Sequence, residues 1–181
     1  YELGQYALAS AHYRDATSTR VDRGDPSSLD AAARGYMASE TSAGYEQAVR
    51  YLNDAIKIEP AAEDYDSLGD ALRALQRYPE AVAAYTKAIE AEPGSIQYRL
   101  DRGRTRHENP DDTSSGDEDY RAAVNMRARN DDEYVAQAEA FEELGDYRGA
   151  VASADSALRL NKKNANAFIH LAFEELNLGD V

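Results

Sequence analysis

The side chains with reactive chemistry are few and scattered. His12, His107 and His170 are the only histidines of the 181-residue chain. No two of them have the helical spacing at which two imidazoles share a metal ion. Cysteine is absent, which removes thiolate ligands, disulfides and a thiol nucleophile together. No glycine-rich phosphate loop, no Gly-x-Ser-x-Gly elbow and no His-Glu-x-x-His pair occurs. Carboxylates are abundant, 34 against 20 lysines and arginines, but in so acidic a chain their pairs are mostly solvated helix faces. No nucleophile stands with a base and an orienting group. The expectation is therefore no catalytic residue, no metal ligand and no cofactor.

Two local clusters hold more chemistry than the rest. In Asp111–Asp119 (DDTSSGDED), Asp111, Thr113, Ser115 and Gly116 resemble the first half of a calcium loop, but Ala122 stands where the bidentate glutamate belongs. Ser115 and Glu118 as a capping box for a following helix account better for the segment. Arg99, Arg102 and Arg106 share one helical stripe. They are expected to pair with nearby acids such as Asp101, Glu108, Asp111 and Asp112, since a lone buried charge is too costly to keep. An anion or partner-carboxylate site is the alternative, because a guanidinium binds carboxylate in a two-pronged way.

Charge narrows the partners. A net charge of −14 argues against nucleic acid, which needs a basic face, and against anionic lipid. Basic, amphipathic or neutral protein segments remain. An apolar fraction of 43% is enough for a core. No apolar run approaches the roughly 20 residues of a membrane span.

The elements that must position these side chains repeat. Over 62–95 (AEDYDSLGDALRALQRYPEAVAAYTKAIEAEPGS), Tyr65, Leu68, Leu72 and Leu75 form one helical stripe. Gly69 on that stripe lets a second helix approach closely. Pro79 opens the second helix, whose stripe is Ala81, Val82, Tyr85, Ala88 and Ile89, and Pro93 ends it. The second helix recurs one unit earlier at Tyr45–Pro60, the whole hairpin around Tyr134–Leu158 with Leu144-Gly145-Asp146-Tyr147 at its turn, and parts of it at Tyr1–Ala16 and Phe168–Asp180.

An early aromatic, Leu-Gly, Gly-x-Tyr, Ala and a closing Pro in units of about 34 residues resemble the tetratricopeptide repeat family. That resemblance implies an all-α, right-handed superhelical stack of helical hairpins, stable only through neighbouring repeats. The units are placed at 1–19 (partial, mainly a second helix), 28–61, 62–95, 96–130, 131–164 and 165–181 (partial, a first helix), with 20–27 as a linker. Ser27 and Asp30 read as a weak capping box after that linker. The 96–130 unit is irregular, with its arginine stripe and a shortened second helix.

In the resembled family the first helices line a concave seat for peptides. Mapped here, that seat is Glu63, Asp66, Ser67, Asp70 and Arg73, then Gln97, Leu100, Asp101, Arg104 and His107. It continues with Asp132, Val135, Ala136, Glu139, Glu142 and Glu143, and with Asn166, Ile169, His170 and Phe173. The basic clamp of the chaperone-binding branch is replaced by Asp66, Asp70 and Asp101. The two acids on the 62–95 unit, Asp66 and Asp70, are expected to face away from the packing stripe. The function implied is a protein–protein interaction scaffold whose acidic groove favours a basic or amphipathic segment. The alternative is a regulatory or targeting module of a larger enzyme or membrane-associated protein. Phe168, Ile169, Leu171, Phe173 and Leu176 make the last helix apolar nearly all round, so the chain is expected to be an excerpt from a longer array, with weak self-association through that helix.

Overall fold

Among the described residues, 21–112 and 116–171 of a computed structural model, all regular structure is α-helical. The partial unit expected over 1–19 lies outside them. The chain divides into two compact units, Tyr1–Pro93 and Gly94–Val181.

The first unit contains α1 (Pro26–Met37), α2 (Ser42–Ile58), α3 (Ala62–Ala74) and α4 (Tyr78–Ala91). Packing joins α1 to α2, α2 to α3 and α3 to α4. The start of α1 corrects the expected capping box. Asp25, not Ser27, is the cap, and its carboxylate accepts the amides of Ser27 and Ser28 at 3.1 and 3.2 Å. Pro26 at the first helical position already holds the φ a helix needs, which fixes the start ahead of Ser27. Between α3 and α4 the chain reverses through Gln76 at φ 58°. There the Arg77 amide donates back to the Leu72 carbonyl at 2.9 Å, the bonding of a helix that ends in a left-handed residue.

The core of this unit follows the predicted stripes. Leu52, Ala71, Ala81 and Tyr85 are fully enclosed, with Leu68 and Leu72 beside them. Gly69 is the closest helix contact. A Cβ there would lie 2.6 Å from Cε1 of Tyr85, so only glycine lets that ring lie flat against α3.

The second unit contains α5 (Ile96–Glu108), α6 (Asp117–Val124), α7 (Asp131–Glu143) and α8 (Tyr147–Leu160), followed by a helix described over 165–171. Its helices pair as α5–α6 and α7–α8, with α7 also against α5 and α6. The turn into α8 repeats the first unit's: Gly145 has φ 73°, and the Asp146 amide reaches the Phe141 carbonyl at 2.9 Å. Tyr120 packs on Gly103 as Tyr85 does on Gly69, with 2.7 Å from Cε1 to a built Cβ.

The irregular unit has a short second helix, 8 residues in α6 against 14 in α4 and α8. Its entry residue is Gly116 with φ 71°; Ser115, the expected cap, lies outside the described residues. A side chain at 116 would meet the Gly103 carbonyl oxygen at 2.2 Å. Backbone therefore docks on backbone, and Gly116 is held against α5 at the start of α6. At the other end of α6 the buried Gln137 donates to the carbonyls of Val124 and Met126 at 2.9 and 3.0 Å, satisfying acceptors that the helix leaves open. The start of α7 is tied to the next helix, because Asp131 accepts from Asn161 and Asn164 at 2.7 and 3.0 Å. Asn164 in turn caps that next helix through the Ala167 amide.

Candidate functional site

In the first unit the mapped acids do not share one environment. Glu63 is exposed, whereas Asp66 and Asp70 are half-buried. Asp70 is a packing residue as well as a surface one. Its Oδ1 accepts the Tyr85 hydroxyl at 2.7 Å, with Arg73 at 3.8 Å. The expectation that Asp70 faces away from the packing stripe is thus corrected. The ring of Tyr85, laid over Gly69, brings its hydroxyl to the next residue along α3.

Asp64, which the sequence pattern does not single out, is buried on the same helix. Burial chiefly, and then the negative charges of Asp30 and Glu63, push its carboxyl from 3.8 up to about 6, against the pull of Arg34. Asp30 on α1 is raised by burial too, although Arg34 pairs with it one turn on. The sequence signal that existed was charge density: Glu59, Glu63 and Asp64 cluster around one helix start.

In the second unit the mapped polar residues join into a bonded row. Arg104 Nη2 on α5 donates to Oε2 of Glu139 on α7 at 2.6 Å, and its Nε lies 3.9 Å from Glu143. His170 on the last helix bridges back, with Nε2 3.3 Å from Glu139 and Nδ1 2.6 Å from Glu142. Burial alone would raise the Glu139 carboxyl, but the His170 hydrogen bond and the Arg104 charge outweigh it and hold it low. The hydrogen bond to Glu139 raises the His170 imidazole above 6.5, with burial opposing and Glu142 adding to the rise. Three successive first helices thus present prepositioned, mutually satisfied charges. Charge-assisted bonds of this length are the stronger kind.

Other mapped positions fall elsewhere. Leu100, Val135 and Ala136 are core residues: Leu100 and Ala136 meet where α5 packs on α7, and Val135 packs against Ala157 of α8 and Ala167 of the last helix. Asp101 is buried and accepts from Gln97 at 2.8 Å. His107 and Asn166 are exposed. Ile169 is 64% exposed beside Phe168 at 52%, and Phe173 lies outside the described residues.

The arginine stripe is a structural clamp. Arg102 holds Asp119 by two bonds of 3.0 and 2.6 Å, and Arg106 adds a third at 2.8 Å. Arg99 donates to the Ser95 carbonyl at 3.0 Å. Pairing of the stripe with a nearby acid is as expected, and Asp119 is an acid that the sequence pattern did not single out. Asp119 sits in the first turn of α6, where the docked Gly116 delivers it to α5. Among the described residues no three His, Asp or Glu converge in a metal-holding arrangement, and no helix is long and apolar enough to cross a membrane.

Comparison with known proteins adds the family. Residues 62–95 match the tetratricopeptide repeat model. A thermophilic TPR protein of Thermus thermophilus superposes with a TM-score of 0.68 at 20% identity, over 97% of this chain and 93% of that one. YrrB, described as a TPR protein with an unusual peptide-binding site, superposes with a TM-score of 0.52 at 16% identity, over 92% and 84% of the two chains. At these identities the likeness is one of fold. Rat (Rattus norvegicus) sperm-associated antigen 1 is 38% identical over 69 residues, 38% of this chain but only 8% of that protein's length.

Proposed function

Because the chain is a tetratricopeptide-repeat protein, whose repeats are generally protein–protein interaction modules, we propose that it is a binding scaffold whose first-helix faces seat a basic or amphipathic segment of a partner. The observation that carries this reading is the acidic flank of α3. Glu63, Asp64, Asp66 and Asp70 lie on one helix, with Arg73 3.8 Å from Asp70 and Arg34 held by Asp30. YrrB, of like fold, is described as having a peptide-binding site. The row Arg104, Glu139, His170 and Glu142, with Asp101 behind it and Ile169 beside it, is the corresponding face of the second unit.

The test is binding of a basic amphipathic peptide, followed by fluorescence anisotropy over a range of salt. Glu63→Lys with Asp66→Lys should weaken binding and flatten its salt dependence. Asp70 is left out of the pair, since its change would also break the Tyr85 bond. Glu90→Lys, on the second-helix surface of the same repeat, is the control. Equal loss from Glu90→Lys, or none from the pair, would return the acids to a solubility role.

A second reading, a regulatory or targeting module within a larger enzyme or membrane-associated protein, draws support from the rat relative, in which the aligned stretch is a small part of a long chain. Both readings use the same face and differ in whether its partner lies in another protein or in the same one.

A further inference from the structure

Where the N-terminal turns of α1 and α3 come together, the first unit has an open cavity of about 360 Å³. Asp30 and Arg34 of α1, Glu59 after α2, and Glu63 and Asp64 of α3 line it. Four carboxylates therefore face one guanidinium, and that guanidinium is already engaged by Oδ2 of Asp30.

One oxygen there is closed off without a donor, and one carboxylate at the open cleft has none. Oδ1 of Asp30 is sealed from water and receives no hydrogen bond. Asp64 is only 6% exposed, and among the described residues no donor bonds its carboxylate, whose surroundings act on it through burial and charge alone. It does not cap its own helix either, since α3 begins at Ala61 without a side-chain cap. A buried carboxylate without a donor is expensive, and native interiors supply one. This cleft is one cation short.

The shape of the cavity selects the cation. A bare metal ion needs several oxygens converging at short range, and among the described residues no such group exists. A space of this size, open on one side, suits a charged head on a flexible stem, with planar donors for two carboxylates. We propose that the cleft seats one basic side chain of a bound protein segment, an arginine guanidinium or lysine ammonium held by Asp64, with the charges of Asp30, Glu59 and Glu63 around it. The proposal rests on the scaffold reading and deepens it by placing one anchor of the partner.

The test uses the full chain and two probes. In amide NMR, N-acetyl-arginine amide at millimolar concentration should shift signals within residues 26–34 and 59–64, the stretches that line the cleft. The uncharged citrulline counterpart should not. Asp64→Asn should weaken the interaction about tenfold or more, as loss of a bond to a charged group does, while helicity stays intact. Saturation with the arginine probe should also lower the titration midpoint of the Asp64 carboxyl. Equal shifts with citrulline, shifts unaffected by Asp64→Asn, or a response to calcium chloride in place of arginine would each overturn the proposal. The basic peptide separates this from the scaffold reading. A peptide that binds wild type and Asp64→Asn alike, with no arginine response, ends the pocket and leaves the scaffold. An arginine response without peptide binding keeps the pocket and ends the basic-segment reading.

Discussion

Replacing Asp64 by asparagine should raise stability at neutral pH and leave it unchanged in acid. The carboxyl titrates near 3.8 when exposed and about 6 in the fold, through burial first and then the charges of Asp30 and Glu63. A folded-state pKa above the unfolded one means that the folded state binds more protons between these values. Stability therefore falls as pH rises from about 4 to 6, and the penalty is complete above that window. A rise of this size corresponds to a ceiling of about 3 kcal/mol, at about 1.4 kcal/mol per unit. Water entering the open cleft screens part of it, so about 1–2 kcal/mol is the expected gain. Asparagine keeps the shape and drops the charge. Urea denaturation of both proteins at about pH 3 and about pH 7.5 gives the comparison. The variant should be the more stable only at the higher pH. A wild type as stable as the variant at neutral pH, or a difference that ignores pH, would refute the idea that Asp64 is a strained anion. It would also remove the main reason for a cation to enter.

Three further outcomes follow from the packing. Tyr85→Phe removes the bond to Asp70 and should cost about 1 kcal/mol in denaturant unfolding, whereas Tyr120→Phe should be neutral or stabilising because that buried hydroxyl has no hydrogen-bond partner. Asp119→Ala leaves Arg102 and Arg106 half-buried without their shared carboxylate and should cost about 3 kcal/mol, with faster amide exchange in α6; retention of full stability would show the clamp to be idle. His170 should titrate above 6.5 in a histidine NMR titration, and its stabilising contribution, full below that pH, should fade as pH rises through the folded-state value; a midpoint at or below 6.5 would mean that Glu139 and Glu142 do not hold it.

The helical pairs were legible because periodicity and breakers are local properties of the chain. Leu68, Leu72, Ala81 and Tyr85 announce their faces by spacing alone, and Gly69 announces the close approach. What escaped depends on partners brought together by folding. The acid that binds Arg102 and Arg106 lies 17 and 13 residues further on, beyond a loop whose closure depends on Gly116 meeting Gly103. Leu100 and Ala136 looked like groove residues because a family map carries faces over whole, yet α5 and α7 touch along that line, and Val135 is covered by α8 and the last helix. Asp64 resembled any acid that favours the first turn of a helix. Only its neighbour on α1 makes it a buried one.

Charge is distributed differently over the two first-helix faces, and this bears on where a basic partner would gain most. Arg104 and His170 neutralise Glu139 and Glu142 in bonds of 2.6 Å, so a cation arriving there must compete with donors already in place. Breaking a charge-assisted bond to make another yields little net energy, and that face discriminates by shape and by apolar contact near Ile169. On α1 and α3 the incoming cation displaces only water or a proton from Asp64, and no donor is lost. The salt-dependent part of binding should accordingly reside in the first unit. Reversing Glu142 to Lys, which meets His170 rather than solvent, should disturb the local bonding of the second unit more than it alters the salt slope of peptide binding. Charge reversal at Glu63 and Asp66 should do the opposite. A salt slope equally sensitive to both would mean that the Arg104–Glu139–His170 row opens when the partner arrives, and that its bonds are weaker than their lengths imply.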